Sequence, residues 1–296
     1  MTPPLAKRLA NLAARSARRI RRTLLPGVPV GRIPFASTYF RWAERAARLD
    51  YVDDVVGHRM YLDDCDSLRL SVARIFEPVT TRFVRATLGP GQRALDVGAN
   101  IGYFTLLFAG QVGPAGRVYA FEPDATNFSL LARNVEANGY RNVTAVNRAV
   151  WDRSGPLQLF LSEDNRGDHH VYDMADGRRS VTIQALRLDD YFPEPSVGFD
   201  LVKMDIQGAE QHALEGMRGL IGRSPGLTFI IEFWPAGLRA CGSSGEQLLD
   251  TLAGLGFQFQ VIDDRVETLV HMSREQLLES CTPQNAASVD LVCRRP

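Results

Sequence analysis

From Arg93 onward, short apolar runs alternate with longer amphipathic ones. "RALDVGAN" is a brief apolar run ending in Asp96 and Gly98, and "IGYFTLLFAGQV" predicts a helix. "GRVYAFEP" reads as a strand. "DATNFSLLARNVEANG" reads as a helix with Asp124 as its cap and Gly139 near its end. "NVTAVNRAV", "PLQLFLSE" and "SVTIQALRLDDYF" carry strand patterns around a polar loop. "FDLVKMD" predicts a strand and "QGAEQHALEGMRGLI" a helix. "LTFIIEFWP" and "SGEQLLDTLAGLG" repeat that pair, and "FQFQVIDD" and "SVDLVCRR" close the chain as strands. Strand-helix alternation of this kind predicts an α/β fold with a mainly parallel sheet covered on both faces. Ligands in such sheets bind beyond the carboxyl ends of the strands.

The earlier part of the chain follows other patterns. "LLPGVPVGRIPF", Leu24 to Phe35, carries three prolines and two glycines and predicts a linker. "STYFRWAERAARLDYVDDVV" predicts a helix, with Ser37 as cap and Phe40, Ala43, Ala47 and Tyr51 near helical spacing. "HRMYLDDCDSLRLSVARIF" mixes strand-like alternation with a turn. "EPVTTRFVRATLGPG" predicts a helix stopped by Gly-Pro-Gly. The expected division is a basic helical extension and linker over 1–55 and one catalytic-type domain over 56–296.

Composition narrows the classes. The 296 residues are 45% apolar, enough for one large core, and 34 basic residues balance 34 acidic ones. A general nucleic-acid binder usually shows a basic excess, so no nucleic-acid partner is expected. Cys65, Cys241, Cys281 and Cys293 form no CxxC pair, which argues for free thiols in a reducing cytoplasm. No apolar run approaches the ~20 residues that cross a bilayer. Lys7, Arg8, Arg15, Arg18, Arg19, Arg21 and Arg22 all precede the first acid, Glu44, with Leu5, Leu9, Leu12 and Ile20 between them. This stretch reads either as a solvated terminal helix or as a peripheral contact with an anionic membrane.

Polar groups stand where the parallel strands should end: Asp96 with Gly98, Glu122, the Ala149-Val150-Trp151 step, Asp205 and Glu232. Several carboxylates in one cleft are costly unless a cationic ligand, a metal or hydrogen-bond donors compensate. "DVGANIG" has the form D-x-G-x-x-x-G and not the dinucleotide loop G-x-G-x-x-G. An acid before a glycine turn suits a cationic ligand better than a diphosphate. Glu122, at the end of the next strand, is placed to accept the hydroxyls of a ribose. Asp205 can be a base, a metal ligand, a cofactor clamp or a helix cap. No H-x-x-x-H or similar spacing supports a metal site, and none is expected.

Taken in order, "ALDVGANIGYFTLLFA", "VYAFEPDATNFSLLARNVEANG", "NRAVWDRSG", "LRLDDYF", "VKMDIQGAE" and "IIEFWP" resemble the FkbM family of S-adenosylmethionine-dependent methyltransferases. The resemblance runs from about Gly57 to the C terminus. It implies a Rossmann-like class I methyltransferase sheet, seven-stranded and mostly parallel with one antiparallel strand, flanked by helices. It also implies S-adenosyl-L-methionine as cofactor and O-methylation of a hydroxyl on a sugar, glycolipid or secondary metabolite, so the partner is a small-molecule, glycan or lipid acceptor. By this resemblance Asp96, Gly98 and Gly102 surround the methionine part, and Asn100, in the same turn, also binds the cofactor. Glu122 takes the ribose, Phe121, Ala149 and Val150 border the adenine with Trp151 beside them, and Asp205 stands by the methyl-bearing sulfur.

A sugar hydroxyl is a poor nucleophile, so a base should remove its proton. Asp205 comes first by position. Glu210 begins the following helix, and Glu232 lies with Trp234 and Pro235 near the expected acceptor mouth. His169 and His170 sit in the loop "NRGDHHVYD"; neighbouring histidines diverge, so at most one of them is the base. His212, on a helix, reads as structural. Two other classes remain open: a noncatalytic cofactor-binding protein, and an NAD-dependent oxidoreductase, against which the missing G-x-G-x-x-G argues.

Overall fold

A computed structural model describes residues 51–296. The basic stretch, the linker and the expected helix from Ser37 to Asp50 lie outside the described residues. The end of that expected helix is instead a strand. β1 (Tyr51–Val55) pairs antiparallel with β2 (His58–Tyr61) across a turn where Val56 and Gly57 have φ of 47° and 94°. Val52, Val55 and Met60 are buried and Asp53 and Asp54 are exposed; the spacing of Val52 and Val55 also suits a helix, and it is the pairing with β2, with a register shift between Val52 and Val55, that makes this segment a strand. This hairpin straddles the boundary expected at 56, and the apolar side of β1 belongs to the core.

Two helices follow, α1 (Leu70–Ala73) and α2 (Pro78–Thr87). Then come β3 (Arg93–Val97), α3 (Tyr103–Val112), β4 (Arg117–Phe121), α4 (Ala125–Ala137) and β5 (Val143–Val146). The Asp124 side chain caps α4 by accepting from the amides of Thr126 and Asn127. "NVTAVNRAV" does not stay one strand. Its end, β6 (Ala149–Val150), joins β7 (Gly155–Phe160) and β8 (Ser180–Leu186) in a separate three-stranded sheet. The chain continues through α5 (Leu188–Tyr191), β9 (Leu201–Met204), α6 (Glu210–Glu215), α7 (Arg218–Gly222) and β10 (Thr228–Phe233). It ends with α8 (Pro235–Ala240), α9 (Gly245–Gly254), β11 (Gln258–Asp263), β12 (Thr268–Val270), α10 (Arg274–Ser280) and β13 (Val289–Arg294). The single helix expected after Asp205 breaks at Gly216, where a Cβ would stand 2.0 Å from the Trp151 carbonyl.

The main sheet has the order β12-β11-β13-β10-β9-β3-β4-β5. From β11 to β5 it is the expected sheet, parallel except for β13, which runs against both neighbours. β12 adds an eighth strand as a hairpin on β11. Side chains leave each strand on alternate faces. Leu95, Val97, Val202, Met204, Phe229, Ile231 and Phe233 pack on one side. Ala94, Leu201 and Ile230 pack on the other with Leu106 and Phe108 of α3. Burial on both faces explains the continuous apolar runs in these strands. No described helix is long and apolar enough to cross a membrane.

Candidate active site

The carboxyl ends of β3, β4 and β9 meet at one edge of the sheet, and the turns after them build the site. Gly98, after β3, has φ of 83°, and a Cβ there would lie 2.0 Å from the Asp205 carbonyl. Only glycine fits a left-handed turn pressed so closely on another backbone. The amides of Gly98 and Ala99 both donate to the Phe121 carbonyl at 3.0 Å. Gly102 works differently. Its missing side chain makes room for Leu131 of α4, 2.6 Å from where a Cβ would be, and it lines neither chamber of the site.

Glu122 follows β4. It is buried and accepts from the amides of Asn100 at 2.8 Å and Asp124 at 2.9 Å. Burial pushes its pKa up to about 8, against the pull of those two donors. It lines an open cleft of about 600 Å³. Phe121, Val150, Trp151, Leu159 and Val171 form the apolar walls, and β6 and β7 thereby bring the small sheet into the site. A second chamber of about 760 Å³ adjoins the cleft and shares Gly98, Asn100, Gly167, Asp205 and Gln207 with it. Asp96, Asp168 and Lys203 face this chamber beside Phe104.

Asp205 stands where the two chambers meet. Its Oδ1 accepts from the Gln207 amide at 2.7 Å, and its Oδ2 lies 3.5 Å from Lys203 Nζ. Gln207 also donates to Glu232 Oε2 at 3.3 Å, which links the ends of β9 and β10. Glu232 lines neither chamber; burial, then the charges of Asp205 and Glu210, raise its pKa. Asp96 is buried, accepts from Thr105 Oγ1 at 2.5 Å, and is pushed up to about 6 by burial.

Glu210 takes a structural place. It is 0% exposed and accepts from the amides of Ile206 and Gly208 at 3.0 and 3.3 Å. It closes the Ile206–Ala209 loop and lines neither chamber. Gly208 in that loop approaches the Gly237 backbone so closely that a Cβ would lie 2.4 Å from it.

The two loop histidines separate. His170 is buried and spans Asp168 Oδ1 at 2.9 Å and Arg178 Nη1 at 3.3 Å, with its ring stacked on Tyr172. Both ring nitrogens are engaged and neither chamber includes it. His169 does line the cleft. Its Nδ1 accepts from the Ser162 amide at 3.0 Å, and burial lowers its pKa. A neutral imidazole whose Nδ1 accepts carries its hydrogen on Nε2, so His169 is a donor there and not a base. His212 bridges Asp152 Oδ2 at 2.6 Å and the Cys241 carbonyl at 3.1 Å, and stacks on Trp151 at 4.1 Å. It holds a wall of the cleft.

The sequence reading passed over Lys203, Gln207, Leu159 and Val171. Period-2 spacing from Asp205 marks Lys203. Leu159 and Val171 come from the polar-loop region, and no local pattern assigns them to a ligand.

Residues 96–259 match the family described as the methyltransferase FkbM domain. The chain belongs to that family. The FkbM domain resembles "Methyltransferase 1" of Beauveria bassiana, 27% identical over 42% of this chain and 57% of that protein. It resembles "Methyltransferase sdnD" of Sordaria araneosa, 29% identical over 42% of this chain and 59% of that one. It also resembles the "2-O-methyltransferase NoeI" of Sinorhizobium fredii, 26% identical over 43% of this chain and 58% of that one. The chain thus spans less than two thirds of the length of these relatives. A solved methyltransferase FkbM from Methylobacillus flagellatus covers 96% of this chain and 70% of that chain at 17% identity, with a TM-score of 0.41.

Proposed function

We propose that this FkbM domain is an S-adenosylmethionine-dependent O-methyltransferase acting on a hydroxyl of a sugar, glycolipid or secondary metabolite. One observation carries the reading. The buried Glu122 carboxylate, fixed by two backbone amides, faces an apolar-walled cleft that opens at Asp205 into an acidic chamber. The donor set fits the cofactor. Each Glu122 oxygen keeps acceptor capacity beyond its amide, which suits a vicinal diol. Phe121, Val150 and Leu159 offer apolar surface to a flat base. Asp96 and Asp205 suit a cation, and Gly98 leaves no side chain in the way.

The cofactor, when bound, supplies an electrophilic methyl group. The chain's own residues then have three tasks. Glu122, Asn100 and the apolar walls bind and orient. Gly167 and His169, which line the cleft, help to exclude water from it. Asp205 accepts the proton of the acceptor hydroxyl at its carboxylate, while Gln207 and Lys203 hold that carboxylate from two sides. The FkbM relative named a 2-O-methyltransferase supports oxygen as the acceptor atom.

A methyl-transfer screen with isotopically labelled cofactor against sugars, glycolipids and polyketides, read by mass spectrometry, tests the reading. Label on oxygen supports it. Calorimetry that found NAD(H) binding and no S-adenosylmethionine binding would replace it with the oxidoreductase reading. We also infer a cytoplasmic protein with a peripheral membrane contact through the basic stretch before Glu44. Equal sedimentation of the full chain with anionic and neutral vesicles would rule the contact out.

A further inference from the structure

The acidic chamber has one cation among its described lining residues, Lys203. Lys203 lies on β9 two residues before Asp205, so both side chains leave the same face. It is 3% exposed. Its Nζ stands 3.5 Å from Asp205 Oδ2, 3.6 Å from Glu77 Oε2 and 4.6 Å over the ring of Phe104. Glu77, just before α2, holds a left-handed backbone with φ of 40°, and its Oε2 has no hydrogen-bond partner besides this ion pair. Asp290 sits behind Glu77 and takes a hydrogen bond from Thr80 at 3.4 Å. Burial opposes the charge on Lys203, but Glu77, Asp205, Asp290 and Asp96 outweigh it and raise its pKa.

A buried ion pair seldom adds stability over an apolar pair of the same volume. The other β9 positions, Leu201, Val202 and Met204, are apolar and buried. A strained glutamate and a buried lysine at this one place therefore call for a reason outside stability. Asp205 supplies it. Its side chain is 28% exposed and has room to turn toward solvent.

We propose that Lys203, clamped by Glu77, is a positioning residue that holds the Asp205 carboxylate aimed across the chamber. The proposal rests on the methyltransferase reading above. Without Lys203, Asp205 Oδ2 loses its cation among the buried Asp96 and the half-buried acids Glu77, Asp290 and Glu232. The carboxylate then swings outward, and negative charge leaves the transfer position.

Two cofactor analogues test this without an acceptor. S-adenosylhomocysteine is neutral at the sulfur. Sinefungin carries an amine-bearing carbon in place of the sulfur, and that amine is cationic near neutral pH. Calorimetry at pH 7 gives the ratio of their affinities. Asp205→Asn should lower the sinefungin preference by about tenfold. Lys203→Met should also lower it, with S-adenosylhomocysteine affinity kept to within about threefold, and Lys203→Arg should restore it in part. If Lys203 were only a nearby positive charge, its removal would raise the preference. A rise, or no change, overturns the proposal. Lys203→Gln gives the same reading should Lys203→Met not fold. Wild-type protein that binds neither analogue overturns the cofactor reading itself. Wild type that binds both, with Asp205→Asn unchanged, overturns the placement of Asp205 and the proposal with it.

Discussion

Glu122 Oε2 accepts the backbone N–H of Asn100 at 2.8 Å, which ties the end of β4 to the turn after β3. The same carboxylate receives the Asp124 amide on its other oxygen, so one buried acid organises two turns. Ligand recognition and turn geometry are coupled in this residue.

Glu122→Ala is therefore expected to weaken S-adenosylhomocysteine binding by about 10- to 100-fold, since it removes two hydrogen bonds to the ribose at about 0.5–1.5 kcal/mol each. Circular dichroism should remain native-like. Calorimetry decides, and unchanged affinity would remove Glu122 from the ribose site.

The ligand-free protein should lose stability as pH rises from about 6 to 8.5. Burial raises the pKa of Glu122 to about 8, of Glu210 to about 7 and of Asp96 to about 6. The folded state thus binds more protons than the unfolded chain across this window. The contribution is complete below the unfolded carboxylate values and declines as each folded value is passed. Thermal unfolding should show Tm falling by several degrees over the window. Glu122→Gln should flatten the upper part, and a Tm that rises through it would contradict the assignment.

Asp205→Asn should reduce turnover by about 10²- to 10⁴-fold, the usual range for a general base. His169→Asn should stay within about tenfold of wild type, because asparagine can still accept the Ser162 amide and His169 carries no base function. Initial rates with the acceptor from the screen compare the two. Equal losses would return His169 to candidacy as the base.

Gly98→Ala should be destabilising by at least about 2 kcal/mol, from left-handed strain alone. The added Cβ also meets the Asp205 carbonyl at 2.0 Å, so the β9 end must shift. Chemical denaturation measures the loss. Gly102→Ala should destabilise through Leu131 and leave ligand affinity of the folded fraction near wild type.

Much of the fold was readable from the chain. Two-sided burial imposes continuous apolar runs on β3, β9 and β10, and the Asp124 cap is local chemistry. Asp96, Gly98, Asn100, Glu122 and Asp205 lie at strand ends because turn geometry and charge concentrate there, so they were visible as a set. Tyr51–Val55 was not, since five residues satisfy a helical or a strand pattern until β2 pairs with them.

By itself, then, the sequence determined the alternation of elements, the edge of the sheet that carries the site and the acids that gather there, because these depend on periodicity and on neighbours along the chain. Tertiary structure decided what those acids do. Glu210 became a loop closure and His170 a hydrogen-bonded link between Asp168 and Arg178 stacked on Tyr172, while His169 became a donor in the cleft wall. It also joined Lys203 to Glu77, distant in sequence and 3.6 Å apart in space. Charge and tautomer depend on burial and on partners brought from other elements, and no local pattern encodes that.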